Sequence, residues 1–179
     1  GAESLMIISL AKAKELIDVK GWTDAKLSFK LKAIEQAIRK YTNNNFQNRE
    51  CRKTANIVGG LFVVEALNPF MVGDIIQISN SKLNTKLYTV VSSSDSTLTV
   101  EESIRDENGV LLTKIEYPDD VVDCALNLLE WEINNRSKLG IKSQTLSRHS
   151  VTYEDSSAMF NGYPVGILNG VNKYRKARF

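Results

Sequence analysis

Two amphipathic helical stripes, one on each side of a strand-rich stretch, constrain this chain more than any other feature. Between Thr23 and Tyr41 the apolar residues Leu27, Leu31, Ile34, Ile38 and Tyr41 follow steps of 4, 3, 4 and 3, which place all five on one helical face. Lys26, Lys30, Glu35, Arg39 and Lys40 take the remaining surface. Thr23 and Asp24 can accept from unpaired first-turn amides. Asn43-Asn44-Asn45 suits the left-handed conformation that stops a helix. The second stripe starts at Pro118, whose missing N–H costs nothing in a first turn. Asp119, Asp120 and Asp123 then put negative charge at the positive end of the helix dipole. Val121, Ala125, Leu128, Leu129, Glu132 and Ile133 trace the stripe with one polar exception, and Arg136, Lys138 and Gly140 mark its end. Neither helix can hide its stripe alone, so the two should pack on each other.

Residues between them read as strands. Ile57–Glu65, Val72–Ile78, Leu87–Val91, Thr97–Glu101 and Val110–Tyr117 are separated by turn clusters, with Asn108-Gly109 as a hairpin signal. Five short strands suggest a small antiparallel barrel or curled sheet. A further helix is expected over Ser9–Val19, a short strand at Val151-Thr-Tyr153, and a last short element from Tyr163-Pro164 that Gly166 and Gly170 make a poor isolated helix. The expected fold class is α+β: a small antiparallel helical bundle core, an inserted antiparallel β-rich, barrel-like subdomain and an extended C-terminal arm. The corresponding spans are 3–51 for the N-terminal helical part, 52–117 for the β insertion, 118–142 for the completing core helix, and 143–179 for the C-terminal segment and basic arm.

Charge is unevenly spread although the net value is only +2. Residues 1–50 carry nine Lys/Arg against six Asp/Glu, 51–117 six against eight, 118–142 three against five, and 143–179 five against two. The whole-chain charge gives no signal for nucleic acid or a membrane. No apolar stretch approaches the roughly 20 residues that cross a bilayer, so neither a span nor a signal peptide is expected.

Catalytic constellations are missing. The one histidine, His149, lies in Ser147-Arg148-His149-Ser150 without a nucleophile elbow. Cys51 and Cys124 are too few for a disulfide framework or a zinc site and read as reduced core thiols, with a single disulfide left open. Gly59-Gly60 falls within a strand-like run and lacks the Lys-Ser/Thr of a phosphate loop. Glu101-Glu102 and Asp106-Glu107 lack calcium-loop spacing. No cofactor, no metal and no enzymatic activity are expected.

Three segments taken in order carry a resemblance. They are Ala37-Ile-Arg-Lys-Tyr41-Thr-Asn-Asn-Asn-Phe46, the Pro118-Asp-Asp-Val-Val helix after a β insertion, and the ending Tyr163-Pro164-Val-Gly-Ile167-Leu168 through Lys173-Tyr174-Arg175-Lys176-Ala177-Arg178-Phe179. The set resembles the head–tail connector (head completion, or adaptor) proteins of long-tailed bacteriophages and prophages of Gram-positive bacteria. The resemblance implies a ring of identical copies matching portal symmetry, docked under the portal at the capsid vertex. Such a ring receives a downstream stopper or tail-completion protein and passes genomic DNA as non-specific cargo. It also implies assembly in the host bacterial cytoplasm and residence in the virion, at the head–tail junction. Carried over, it makes Lys173, Tyr174, Arg175, Lys176, Arg178 and Phe179 the portal-contacting residues. Arg and Tyr are favoured at interface hot spots, which suits that role. The competing expectation is a nucleic-acid-binding module using the β subdomain and the basic tail. A small hydrolase would have to depend on His149.

Overall fold

The order of elements follows from the two stripes and what lies between them. A computed structural model describes residues 7–135 and 158–177. The elements are α1 (Leu10–Leu16), α2 (Asp24–Thr42), β1 (Gln47–Val58), β2 (Leu61–Val64), β3 (Ile75–Ser79), β4 (Leu87–Ser93), β5 (Thr97–Val100), β6 (Glu107–Ile115) and α3 (Asp119–Asn135). After these come β7 (Met159–Phe160), β8 (Tyr163–Pro164), α4 (Val165–Leu168) and a 3-10 helix (Asn169–Tyr174). The chain divides into two compact units: a β unit, Asn45–Glu116, and a helical unit that joins Ile7–Asn44 to the residues from Tyr117 onward.

In the β unit, six antiparallel strands close into a barrel in the order β1-β2-β5-β4-β3-β6, with β6 pairing back to β1. Five strands were expected. The extra one arises at Gly59-Gly60, which is a turn and not part of a continuous strand: both glycines have positive φ, +60° and +79°. That geometry fits a two-residue hairpin at no Cβ cost, and it pairs Val58 with Leu61. Asn108-Gly109 departs from expectation in the opposite sense. Gly109 (φ +68°) lies inside β6, where the register with β1 shifts between Ala55 and Ile57, so the glycine serves a bulge. β1 begins at Gln47, inside the 3–51 span assigned to helices. Ile57, Phe62, Phe70, Ile76, Val90, Leu98, Val110 and Leu112 fill the barrel interior.

In the helical unit the two stripes meet as the periodicity requires. Leu27, Leu31, Ile34 and Ile38 of α2 and Val121, Ala125, Leu128 and Leu129 of α3 are fully buried. Thr23 caps α2, its Oγ1 accepting from the Lys26 amide at 3.2 Å. Asn43 ends the helix in the left-handed conformation (φ 50°, ψ 41°). α1 is shorter than Ser9–Val19, stopping at Leu16. Glu132, the polar exception in the second stripe, is fully buried, and its carboxylate lies 2.8 Å from Lys30 Nζ. Glu35, also buried, accepts from the Ile7 amide (3.3 Å), from Arg39 Nη1 (2.6 Å) and from the Tyr117 hydroxyl (2.6 Å). Burial, and then the Glu35 charge, push the Tyr117 phenol well above its usual range.

Candidate partner-binding surface

The C-terminal segment is where the expected site residues lie, and the described part of it is folded back on its own helical unit. Leu168 and Val171, both fully buried, anchor it among α2 and α3 despite the two glycines nearby. Burial of two aliphatic side chains outweighs the glycine penalty of about 1 kcal/mol each. Cys124 on α3 donates from Sγ to the Ile167 carbonyl at 3.5 Å, and desolvation, with Asp123 nearby, pushes its thiol up to about 11. Tyr41, the last residue of the first stripe, donates from its hydroxyl to Asn172 Oδ1 and packs edge-on against Phe160 with centroids 5.3 Å apart.

Four of the expected contact residues can be placed. Lys173 Nζ lies 2.6 Å from Asp120 Oδ2, and the Tyr174 hydroxyl donates to Asp120 Oδ1 at 2.6 Å. Arg175 stacks its guanidinium over the Tyr41 ring, 4.7 Å from the centroid. Lys176 is held through its backbone, whose N–H donates to the Thr42 carbonyl at 2.8 Å. Side-chain amides complete the attachment: Asn44 Nδ2 donates to the Tyr174 carbonyl (3.1 Å) and Asn43 Nδ2 to that of Ala177 (3.2 Å). Arg178 and Phe179 lie outside the described residues, as do Arg136, Lys138, Gly140, His149 and Val151–Tyr153. The described segment is helical from Val165 to Tyr174. Arg175–Ala177 follow it without helical structure, and their backbone is tied to the C-terminal end of α2.

The electrostatics favour the docked tail. The hydrogen bond from Lys173, then that from Tyr174, holds the Asp120 carboxyl below its usual range, and Asp120 in turn raises both Lys173 and Tyr174. Asp120 reads from sequence as helix-start charge alone, and Asn43-Asn44 as a helix stop. Their second role as tail ligands carries no local signal, because it depends on residues more than 50 positions away. The basic side chains stay accessible: Lys173, Arg175 and Lys176 are all exposed.

No protein family, characterised protein or solved structure matches this chain.

Other surfaces offer less chemistry. Among the described residues no cluster of His, Cys, Asp or Glu could hold a metal ion, and no helix is long and apolar enough to cross a membrane. Cys51 and Cys124 are both free thiols. The Gly59 and Gly60 amides already donate to the Asp106 carboxylate at 3.0 and 3.3 Å. Glu102 accepts from the Thr89 amide and hydroxyl, and Glu107 from Ser81, Lys82 and Asn84, so both carboxylates staple loops. In the barrel, Phe46, Phe62, Phe70 and Tyr88 are all buried. No aromatic face is left there for base stacking, the interaction on which single-strand binding barrels rely. A groove of about 500 Å³ beside α3, lined by Asn127, Glu130, Trp131, Asn134, Gly166 and Gly170, carries one carboxylate and no nucleophile.

Proposed function

We propose that this chain is a structural assembly protein of a long-tailed phage virion, a non-enzymatic connector that forms a ring at the capsid vertex. The ring joins the portal to the tail or to the next connector component and passes genomic DNA without reading its sequence. In this reading α2 and α3 belong to an antiparallel bundle core, the barrel is its insertion, and the segment from Lys173 to Phe179 is the arm that meets the portal. The observation that carries the reading is the state of the tail. Its backbone is pinned to α2, while Lys173, Arg175 and Lys176 remain exposed. A pre-ordered basic surface loses little conformational entropy on binding, and guanidinium groups pair well with carboxylates on a partner.

The test is co-sedimentation with the portal of the encoding phage or prophage, followed by negative-stain imaging. Arg175→Glu with Lys176→Glu reverses the exposed charge and spares the backbone bonds that hold the tail. Loss of portal docking with an unchanged circular dichroism spectrum is the expected result. Docking at unchanged affinity removes the tail from the interface.

A further inference from the structure

We infer that residues 158–177 form a clasp, which opens and closes as one piece on the packed α2–α3 pair and which, when closed, ties the end of α2 to the start of α3. Its own structure is too slight to stand alone. It consists of two strands of two residues each, a four-residue helix and a six-residue 3-10 helix. Helices this short are marginal in water, and Gly166 and Gly170 weaken them further. What orders the segment is its seat: Tyr163, Leu168 and Val171 are buried, and the helical elements rest on α2 and α3. A segment that is structured only while seated loses its contacts together, as a single cooperative unit.

The fastening reaches both helices. Lys173 Nζ and the Tyr174 hydroxyl hold the Asp120 carboxylate in the first turn of α3. At the other helix, the Tyr174 carbonyl accepts from Asn44, the Lys176 amide donates to Thr42 and the Ala177 carbonyl accepts from Asn43. Tyr174 is thus bonded to α3 through its side chain and to the end of α2 through its backbone. The Lys173–Asp120 pair is 66% and 39% exposed, so solvent and salt weaken it. A buried apolar seat closed by an exposed ionic catch is the construction of a releasable strap.

What the clasp covers makes its opening measurable. Cys124, one turn further along α3 than Asp120, is 3% exposed, and its Sγ donates to the Ile167 carbonyl. The thiol therefore meets the part of the clasp that precedes Lys173. Fraying of the residues after Asn172 leaves it covered, whereas opening as one piece bares it. Leu31, Ile34, Leu128 and Leu129, fully buried on α2 and α3, leave that pair a core of its own when the clasp lifts. The inference does not depend on which partner the tail meets.

Thiol labelling of the full chain carrying Cys51→Ala tests it, with hydrogen exchange of the Lys176 N–H read in parallel. Below the unfolding transition seen by circular dichroism, the Cys124 labelling rate should hardly change with urea, the mark of a local opening. On that background Asp120→Asn should raise the rate several-fold and Leu168→Ala roughly thirtyfold or more. In each variant exchange at Lys176 should rise by the same factor, because one opening exposes both probes. Tyr174→Phe removes a hydroxyl and leaves the seat intact, so it should move both probes in proportion even if Leu168→Ala does not fold. Three results overturn the inference. The first is Cys124 labelling with the urea dependence of global unfolding. The second is Asp120→Asn or Tyr174→Phe speeding exchange at Lys176 while Cys124 labels at the reference rate, which is fraying. The third is a folded Leu168→Ala variant that bares Cys124 and leaves Lys176 protected.

Discussion

Replacing Tyr117 by Phe tests whether the buried Glu35 network holds the helical unit together. The substitution keeps the ring, so no cavity opens, and it removes one hydroxyl. That hydroxyl donates to Glu35 at 2.6 Å and accepts from Arg39 at 3.2 Å. A hydrogen bond to a charged group contributes about 1.5–3 kcal/mol. Glu35 keeps two donors, Arg39 and the Ile7 amide, so the expected loss is about 2 kcal/mol, in the lower part of that range. For a chain of this size that is a fall in Tm of roughly 4–8 °C. Both tryptophans, Trp22 and Trp131, belong to the helical unit and none to the barrel, so tryptophan fluorescence in a urea titration reads the right transition. The pH dependence supplies a second signature. The folded-state pKa of Tyr117 is raised, so its stabilisation is present below the unfolded phenol value and is lost as pH rises. Above about pH 10 the wild type should lose stability faster than Tyr117→Phe. A variant within about 0.5 kcal/mol of wild type at neutral pH, with the same alkaline slope, would falsify the claim that this network is energetically significant.

Two further outcomes follow from the site and the barrel. Asp120→Asn should loosen the tail and speed exchange of the Lys176 N–H several-fold at neutral pH, measured by hydrogen exchange. In wild type the same loosening should come on as pH falls through the depressed Asp120 value, and again at alkaline pH as the raised Lys173 and Tyr174 groups lose their protons. Phe62→Ala, at a fully buried barrel position, should cost about 3–5 kcal/mol, read as lost exchange protection across β1, β2 and β5. Protection equal to wild type would mean that Phe62 does not help hold the barrel closed.

Helix α2 was legible because three independent signals agree on it: a five-residue apolar stripe, a capping Thr23 and a left-handed Asn43. The existence of the strands was legible from their β-branched runs. A barrel or curled sheet was legible from their number and spacing, but the strand order was not, because β1–β6 and β3–β6 pair residues far apart in sequence. Gly59-Gly60 was absorbed into one run because apolar residues continue on both sides of it. Asn108-Gly109 carried a hairpin signal that pairing with β1 overrode. The tail residues were singled out by type, but their docking depends on Asp120, Tyr41 and Asn44, each of which already had a sufficient local explanation.

The two strands that connect the barrel to the rest of the chain lie side by side. Gln47 pairs with Ile115, and the Glu116 amide donates to the Phe46 carbonyl at 2.9 Å. The polypeptide thus leaves and returns within about one strand spacing, roughly 5 Å. A gap that small can be spanned by a tight turn, so the barrel is a detachable cassette: it can be lengthened, exchanged or excised while the helices on either side keep the same distance to bridge.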